Sequence, residues 1–285
     1  MVYFRIQGNL GNVLFQRAVA LSLRRGRTVG VGDKTSSGQL RQYGRLFEDL
    51  EVRTEPPADA VVVRQEKCLP TAFPPDDGRD LYLEGYFQSE NYFDRDLVYA
   101  WARPSEERIA ALTAKYGAWL SRPGVTGISV RRGDYLTKAA WHPFVGERYF
   151  RDCLARLPDV RDFVVCSDGL EWCRRFFPTA FPDRRFLFVE GENVLDQLAV
   201  HVLCANNVIS NSSYSWWGAW LAHERRRRAG LGGRVLAPSM WFGYAAKAAG
   251  ATWDDVYFDG VEVVANRYSP RQWLAARWSV FAERA

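Results

Sequence analysis

Histidine and cysteine are scarce. Three histidines (His142, His201, His223) are scattered through 285 residues and form neither H-E-x-x-H nor a clustered ligand set. That argues against a zinc site built by the protein. The five cysteines (Cys68, Cys153, Cys166, Cys173, Cys204) are odd in number and show no C-x-x-C spacing. A disulfide framework is therefore not expected, and the thiols read as reduced ones in a cytoplasmic protein. Long apolar runs are missing too, for none approaches the roughly 18 residues of a transmembrane helix. The opening MVYFRIQGNLGN has neither a basic start nor an extended apolar core, so it does not read as a signal peptide. Charge is only mildly in excess, with 38 basic against 33 acidic residues for a net +5. That balance suits an anionic ligand or an anionic membrane surface, and it gives no nucleic-acid footprint.

Strand and helix signals alternate along the chain. VYFRI (2–6) reads as a strand, QGNLGN as a turn and VLFQRAVALSLRR (13–25) as a helix. AVVV (60–63) and LYLEGYF (81–87) read as further strands separated by Pro-rich loops. PSEERIAALTAKYGAWL (104–120) carries a Ser–Glu helix start, and SRPG (121–124) breaks the chain after it. The length admits two domains, and the boundary is placed at that break: 1–122 and 123–268, with 269–285 as a tail. The second half repeats the alternation. VTGISV, DFVVCSD, RFLFVEG, NVISNSS and RVLAP read as strands, and GLEWCRRFF, NVLDQLAVHVLCA and YSWWGAWLAHERRRR as helices. Such alternation implies an α/β fold with parallel sheets and ligands at the carboxyl ends of the strands.

Polar residues collect at those predicted ends. Arg131, Arg132 and Asp134 follow one strand, Ser167 and Asp168 a second, and Asn211, Ser212 and Ser213 a third. Paired arginines suit a diphosphate, because guanidinium forms bidentate charge-assisted bonds to phosphate oxygens. Serines at a helix start add hydroxyls, amide N–H groups and the positive dipole end. The same arginines could equally form structural salt bridges, and Asp134 could only orient one of them. DRD (94–96) matches a D-x-D metal pattern but reads as a helix start. The RGD at 132–134 reads as coincidence with an adhesion tripeptide.

At these residues the chain resembles the bacterial α-1,2-fucosyltransferases of glycosyltransferase family 11. GNLGNVLFQ (8–16) is similar to the family's G-R-L-G-N-Q-x-F-Q, and GYFQSENYF (85–93) matches G-Y-F-Q-S-E-x-Y-F in full. SVRRGDY (129–135) resembles H-x-R-R-G-D-Y, CSDGLEW (166–172) C-S-D-D-x-x-W, and NSSYSWWGA (211–219) N-S-S-F-S-W-W-G-A. The resemblance implies a GT-B-like architecture of two Rossmann-like domains facing a cleft, with a C-terminal helix (269–283) packing back on the first domain. It implies inverting transfer of L-fucose from GDP-fucose to a terminal galactose, with no metal or other cofactor. Partners would be the GDP-sugar and an oligosaccharide or glycolipid acceptor, with peripheral contact at the inner membrane open and nucleic acid excluded.

Carried over by position, Arg131 would neutralise the departing β-phosphate, and Arg132 and Asp134 would hold its loop. Ser167, Asp168, Asn211, Ser212 and Ser213 would line the donor site, and Asp196 would lie near the guanine. Asn12 and Gln88 would face the acceptor side, whose pocket would be shaped by loops at 33–45, 64–80 and 136–146. Asp134 and His142 are the candidate bases. Five departures from the family's pattern stand out, several of them in the expected donor pocket or at its rim: Ser129 for His, Asn206 for His in the segment before N-S-S, Gly169 for Asp, Asn9 for Arg and Val13 for Gln. They leave open a different GDP-sugar, or a glycan- or nucleotide-binding protein without turnover.

Overall fold

The computed structural model describes residues 1–23, 26–66, 68–143, 145–267 and 274. The expected C-terminal helix at 269–283 lies outside them, apart from Leu274. The chain divides into two units: Met1–Arg103 with Ala251–Phe258, and Pro104–Gly250 with the residues from Asp259 on.

The first unit runs β1 (Val2–Arg5), α1 (Leu10–Ser22), β2 (Thr28–Val31), α2 (Lys34–Arg41), β3 (Glu51–Arg53), β4 (Val61–Arg64), β5 (Leu81–Glu84) and α3 (Arg95–Ala102). Its sheet is parallel throughout, in the order β3-β2-β1-β5-β4. Central β1 buries Val2, Tyr3 and Phe4 completely. A run apolar on both faces belongs in such a position. Asp94 caps α3 by accepting from the Leu97 amide, so the D-R-D tripeptide is a helix start. Part of the loop expected at 33–45 is α2, begun by Asp33 accepting from the Ser36 amide.

The second unit runs α4 (Glu106–Leu120), β6 (Thr126–Val130), α5 (Glu147–Ala155), β7 (Asp162–Ser167), α6 (Leu170–Ala180), β8 (Arg185–Phe188), α7 (Val194–Leu203), β9 (Asn206–Val208), α8 (Ser213–Arg228), β10 (Val235–Pro238), α9 (Tyr244–Ala248) and β11 (Val261–Val264). Its parallel sheet has the order β11-β10-β9-β6-β7-β8. β7 shows why both faces carry helices. Phe163 and Val165 pack with Phe150, Leu154 and Phe177 of α5 and α6, while Val164 and Cys166 pack with Leu112, Tyr116 and Val200 of α4 and α7.

That packing moves the domain boundary. It falls between Arg103 and Pro104, not at 122/123, because α4 belongs to the second unit. Besides Leu112 and Tyr116 in the core, α4 is tied by Arg108 to Asp196 at 3.1 Å and by the Tyr116 hydroxyl to Glu192 at 2.6 Å. All five cysteines are unpaired. Burial pushes the Cys153 and Cys204 thiols up to about 12, so neither is a nucleophile at neutral pH. Among the described residues no helix is long and apolar enough to cross a membrane.

Candidate functional site

In each sheet the chain starts in the middle, builds to one side, then returns to the other. The reversal lies between β6 and β9 in the second unit and between β1 and β5 in the first. Parallel sheets bind ligands at the carboxyl ends of the strands flanking such a reversal. The predicted residues gather there.

Ser210 joins the two strands at the second-unit switch point. Its hydroxyl accepts from the Arg131 amide at 3.0 Å and donates to the Ser129 carbonyl at 2.8 Å. It is fully buried, and sequence reasoning passed it over for the neighbouring Asn211, Ser212 and Ser213. The signal available was its place as the first hydroxyl after an apolar strand.

Asp168, at the end of β7, sets the arginine pair. One carboxylate oxygen lies 2.8 Å from Nη1 of Arg131 and the other accepts the Arg132 amide at 2.7 Å. Asp134 holds Nη2 of Arg131 at 2.6 Å, and Lys138 stands 3.8 Å from Asp134. Two carboxylates thus meet two cations, Arg131 and Lys138, and the Arg132 guanidinium adds a third positive charge outside these ion pairs. Arg131 has five N–H donors and these ion pairs need not use them all. Gly133 makes the geometry possible, since a Cβ there would sit 2.5 Å from Oδ2 of Asp168. Arg132 follows another path, its guanidinium 4.3 Å from the centre of the Trp172 ring. Burial lowers its pKa from the ordinary arginine value.

Facing this cluster is the start of α8. Ser212 is the N-cap residue but makes no side-chain cap bond, and the first amides of a helix have no partner within it. Asn211 donates to the Trp241 carbonyl at 2.9 Å, while its buried Oδ1 has no hydrogen-bond partner. Trp216, Trp217 and Trp220 are buried and seat the helix in the core. A polar start on an aromatic anchor is how NSSYSWWGA divides its work. Tyr135 donates to the Asn211 carbonyl at 3.1 Å and stacks on His142 with centroids 4.9 Å apart. Desolvation lowers the His142 pKa below its ordinary value, so its imidazole is neutral at pH 7.

Other expected site residues have quieter tasks. The Ser167 hydroxyl accepts from the Gly169 amide at 2.8 Å, closing the turn into α6. Asp196 stands in the first turn of α7, engaged by Arg108 and by Asn193 at 2.5 Å. Ser129 is buried and shares a 2.6 Å hydrogen bond with Ser215. Asn206 corrects the expectation of a residue at the donor rim. It begins β9, at the opposite edge of the sheet, and bonds Gly124, Thr126 and Arg234. In the first unit Gln88 donates to Asn12 at 2.7 Å, which joins the loop after β5 to the first turn of α1, the helix that follows β1, at that unit's own switch point. Asn9 is exposed and precedes α1 without a side-chain cap bond. Among the described residues no three His, Cys, Asp or Glu side chains gather as a metal-holding group.

Two units with wholly parallel sheets, each carrying polar loops at its switch point, define a two-domain Rossmann-like protein of GT-B-like class. The fold is shared with the fucosyltransferase NodZ from Bradyrhizobium, at a TM-score of 0.50 over 76% of this chain and 91% of that one, with 13% sequence identity. The family model for glycosyl transferase family 11 matches residues 64–226, more than half of the chain. The chain belongs to that family. It is 31% identical over 122 residues to an alpha-1,2-colitosyltransferase of Escherichia coli, covering 40% of each chain. It is also 31% identical over 104 residues to galactoside alpha-(1,2)-fucosyltransferase 1 of Sus scrofa, covering 34% of this chain and 28% of that one. The aligned stretch therefore spans less than half the length of these relatives.

Proposed function

We propose that the chain transfers L-fucose from GDP-fucose to the O2 of a terminal galactose on a glycan, with inversion and without a metal ion. The observation that carries this reading is the convergence at the β6–β9 switch point. Arg131 and the uncapped start of α8 approach one place and are joined through Ser210. Cleaving the sugar–phosphate bond leaves an oxocarbenium-like sugar and a fuller charge on GDP. Donors fixed beforehand around that charge lower the barrier by several kcal/mol. In this reading Arg131, Ser212, Ser213 and the α8 amides receive the diphosphate, and Asp168 and Asp134 keep Arg131 aimed. Asn12 and Gln88 belong to the acceptor side.

GDP is a good leaving group and needs no protonating acid, so proton transfer is required only at the acceptor hydroxyl. His142 is the better base of the two candidates. Asp134 is already engaged by Arg131 and Lys138, whereas burial keeps the His142 imidazole neutral and ready to accept a proton. The α-1,2 linkage is supported by the two relatives whose names state it, and galactose by one of them.

The test is incubation of the purified protein with GDP-fucose and lactose in excess EDTA, following GDP release beside the fucosylated product. Chelator-insensitive product supports the reading, and loss of turnover in EDTA overturns its metal-independent part. No product across an acceptor panel moves the donor to another GDP-sugar. The similarity to a colitosyltransferase makes GDP-colitose the first alternative to try. A chain that binds GDP yet neither transfers nor hydrolyses any donor is a binding protein.

A further inference from the structure

We propose that Gly169 is a positioning residue that acts through Arg132, its missing side chain giving the arginine a seat on Trp172 beside the Arg131 loop, from which it adds to the grip of Arg131 on the donor diphosphate. The inference rests on the GDP-sugar reading above.

A Cβ at position 169 would lie 2.9 Å from Cδ of Arg132, 3.2 Å from Cβ and 3.4 Å from Cγ. It would meet the whole stem of the arginine, not a tip that can swing aside. The stem is also fixed at both ends. The Arg132 amide donates to Asp168 at 2.7 Å, and the guanidinium lies 4.3 Å from the Trp172 ring centre. Trp172 cannot retreat, because it stacks on Phe176 at 4.8 Å and 18° and meets Phe177 edge-on at 6.1 Å.

Nor can Gly169 move. Its amide donates to Ser167 at 2.8 Å, and its carbonyl accepts from the amides of Trp172 at 3.1 Å and Cys173 at 3.3 Å. Its φ of −134° is open to any residue, so glycine's backbone freedom is not what the position uses. Room is what it supplies. A side chain at 169 must lift Arg132 off the indole, and the family's Asp would add a carboxylate beside the stem.

The experiment titrates GDP alone into the wild type, Gly169→Ala, Arg132→Ala and the double variant. Gly169→Ala and Arg132→Ala should each weaken binding about tenfold, the scale of one charge-assisted hydrogen bond. The double variant should be no worse than either single one, because both remove the same grip. Additive losses, or unchanged binding in Gly169→Ala, overturn the proposal. The seat itself is read without nucleotide from the ring-current shift of the Arg132 δ-methylene protons over Trp172. Loss of that shift in Gly169→Ala is expected, and its retention overturns the proposal. A wild type that binds no GDP but shows the shift lost in Gly169→Ala removes the nucleotide reading, and with it the diphosphate role, while the seat stands.

Discussion

Asp168 grips both arginines of the β6 loop at once, one oxygen on the Arg131 guanidinium at 2.8 Å and the other on the Arg132 amide at 2.7 Å. A single carboxylate directly after β7 therefore aims the Arg131 guanidinium and pins the backbone of Arg132. Asp168→Asn keeps an oxygen for the Arg132 amide and removes one of the two charges that hold Arg131, Asp134 being the other. We expect kcat with GDP-fucose to fall by about 10²-fold, the usual cost of losing one preorganised donor to a developing charge. The thermal midpoint should move little, since the pair is partly solvent-exposed. Steady-state kinetics beside a melting curve checks both. A rate within twofold of wild type would remove Arg131 from the phosphate-facing role.

Asn206 gives a prediction at the other end of the sheet. Its side chain bonds Gly124, Thr126 and the Arg234 amide, latching β9 to its neighbours far from the strand ends that carry Arg131. Asn206→His should destabilise the fold by roughly 1–3 kcal/mol through unsatisfied partly buried groups. It should leave the affinity for GDP unchanged. Urea unfolding and a GDP titration on one variant separate the two effects, and a tightened or weakened nucleotide site with intact stability would contradict the placement.

The contrast between Asp168 and Asn206 shows what the sequence could carry. Alternating apolar runs such as DFVVCS mark strands, and polar residues directly after them must lie at the carboxyl edge, so Arg131, Asp168 and Ser212 were legible. Asn206 was not, because β9 is only three residues long and a shift of three positions moves a side chain from one sheet edge to the other. β3 was hidden for a related reason: Glu51–Arg53 holds one apolar residue and no pattern. Strand order is set by pairing between distant segments, so the two switch points needed the structure. Ser210, which ties the two strands together, reads in sequence as part of the strand NVISNSS, and the motif CSDGLEW marks Trp172 without saying that Arg132 rests on it. α5 did carry a readable signal, with Tyr149, Phe150, Cys153 and Leu154 at helical spacing.

His201 should make the second unit acid-sensitive. It is fully buried between Gly127 and Gly218, bonded through Nδ1 to Asn207 at 3.1 Å, with Nε2 unpartnered. Desolvation drives its pKa from 6.5 down to about 4. As pH falls, the unfolded chain takes the proton first, so this stability is complete above about 6.5 and is lost down to about 4. The whole span corresponds to about 3 kcal/mol. Denaturant unfolding at pH 7 and pH 4.5 should show that loss in the wild type and a smaller one in His201→Gln. Equal losses in both would place the acid sensitivity elsewhere.

His142 titrates in the same direction but would act on rate. Stacked on Tyr135 and half-buried, it has a pKa below 6.5 because burial disfavours the imidazolium. As the base it must be neutral, so activity should hold from pH 8 down past 6.5 and fall only below the lowered pKa. An imidazole with an ordinary pKa would already be half protonated at that point. His142→Gln preserves a polar group of similar reach but cannot take the proton. It should lower kcat by about 10²–10⁴-fold and abolish the acid limb that belongs to the histidine. GDP binding should stay intact, since the ring touches Tyr135 and not the arginine pair's carboxylates. A pH–kcat profile of both proteins decides the assignment. If the acid limb survives unchanged in His142→Gln, the proton leaves by another group and the imidazole serves only to pack Tyr135 against the loop.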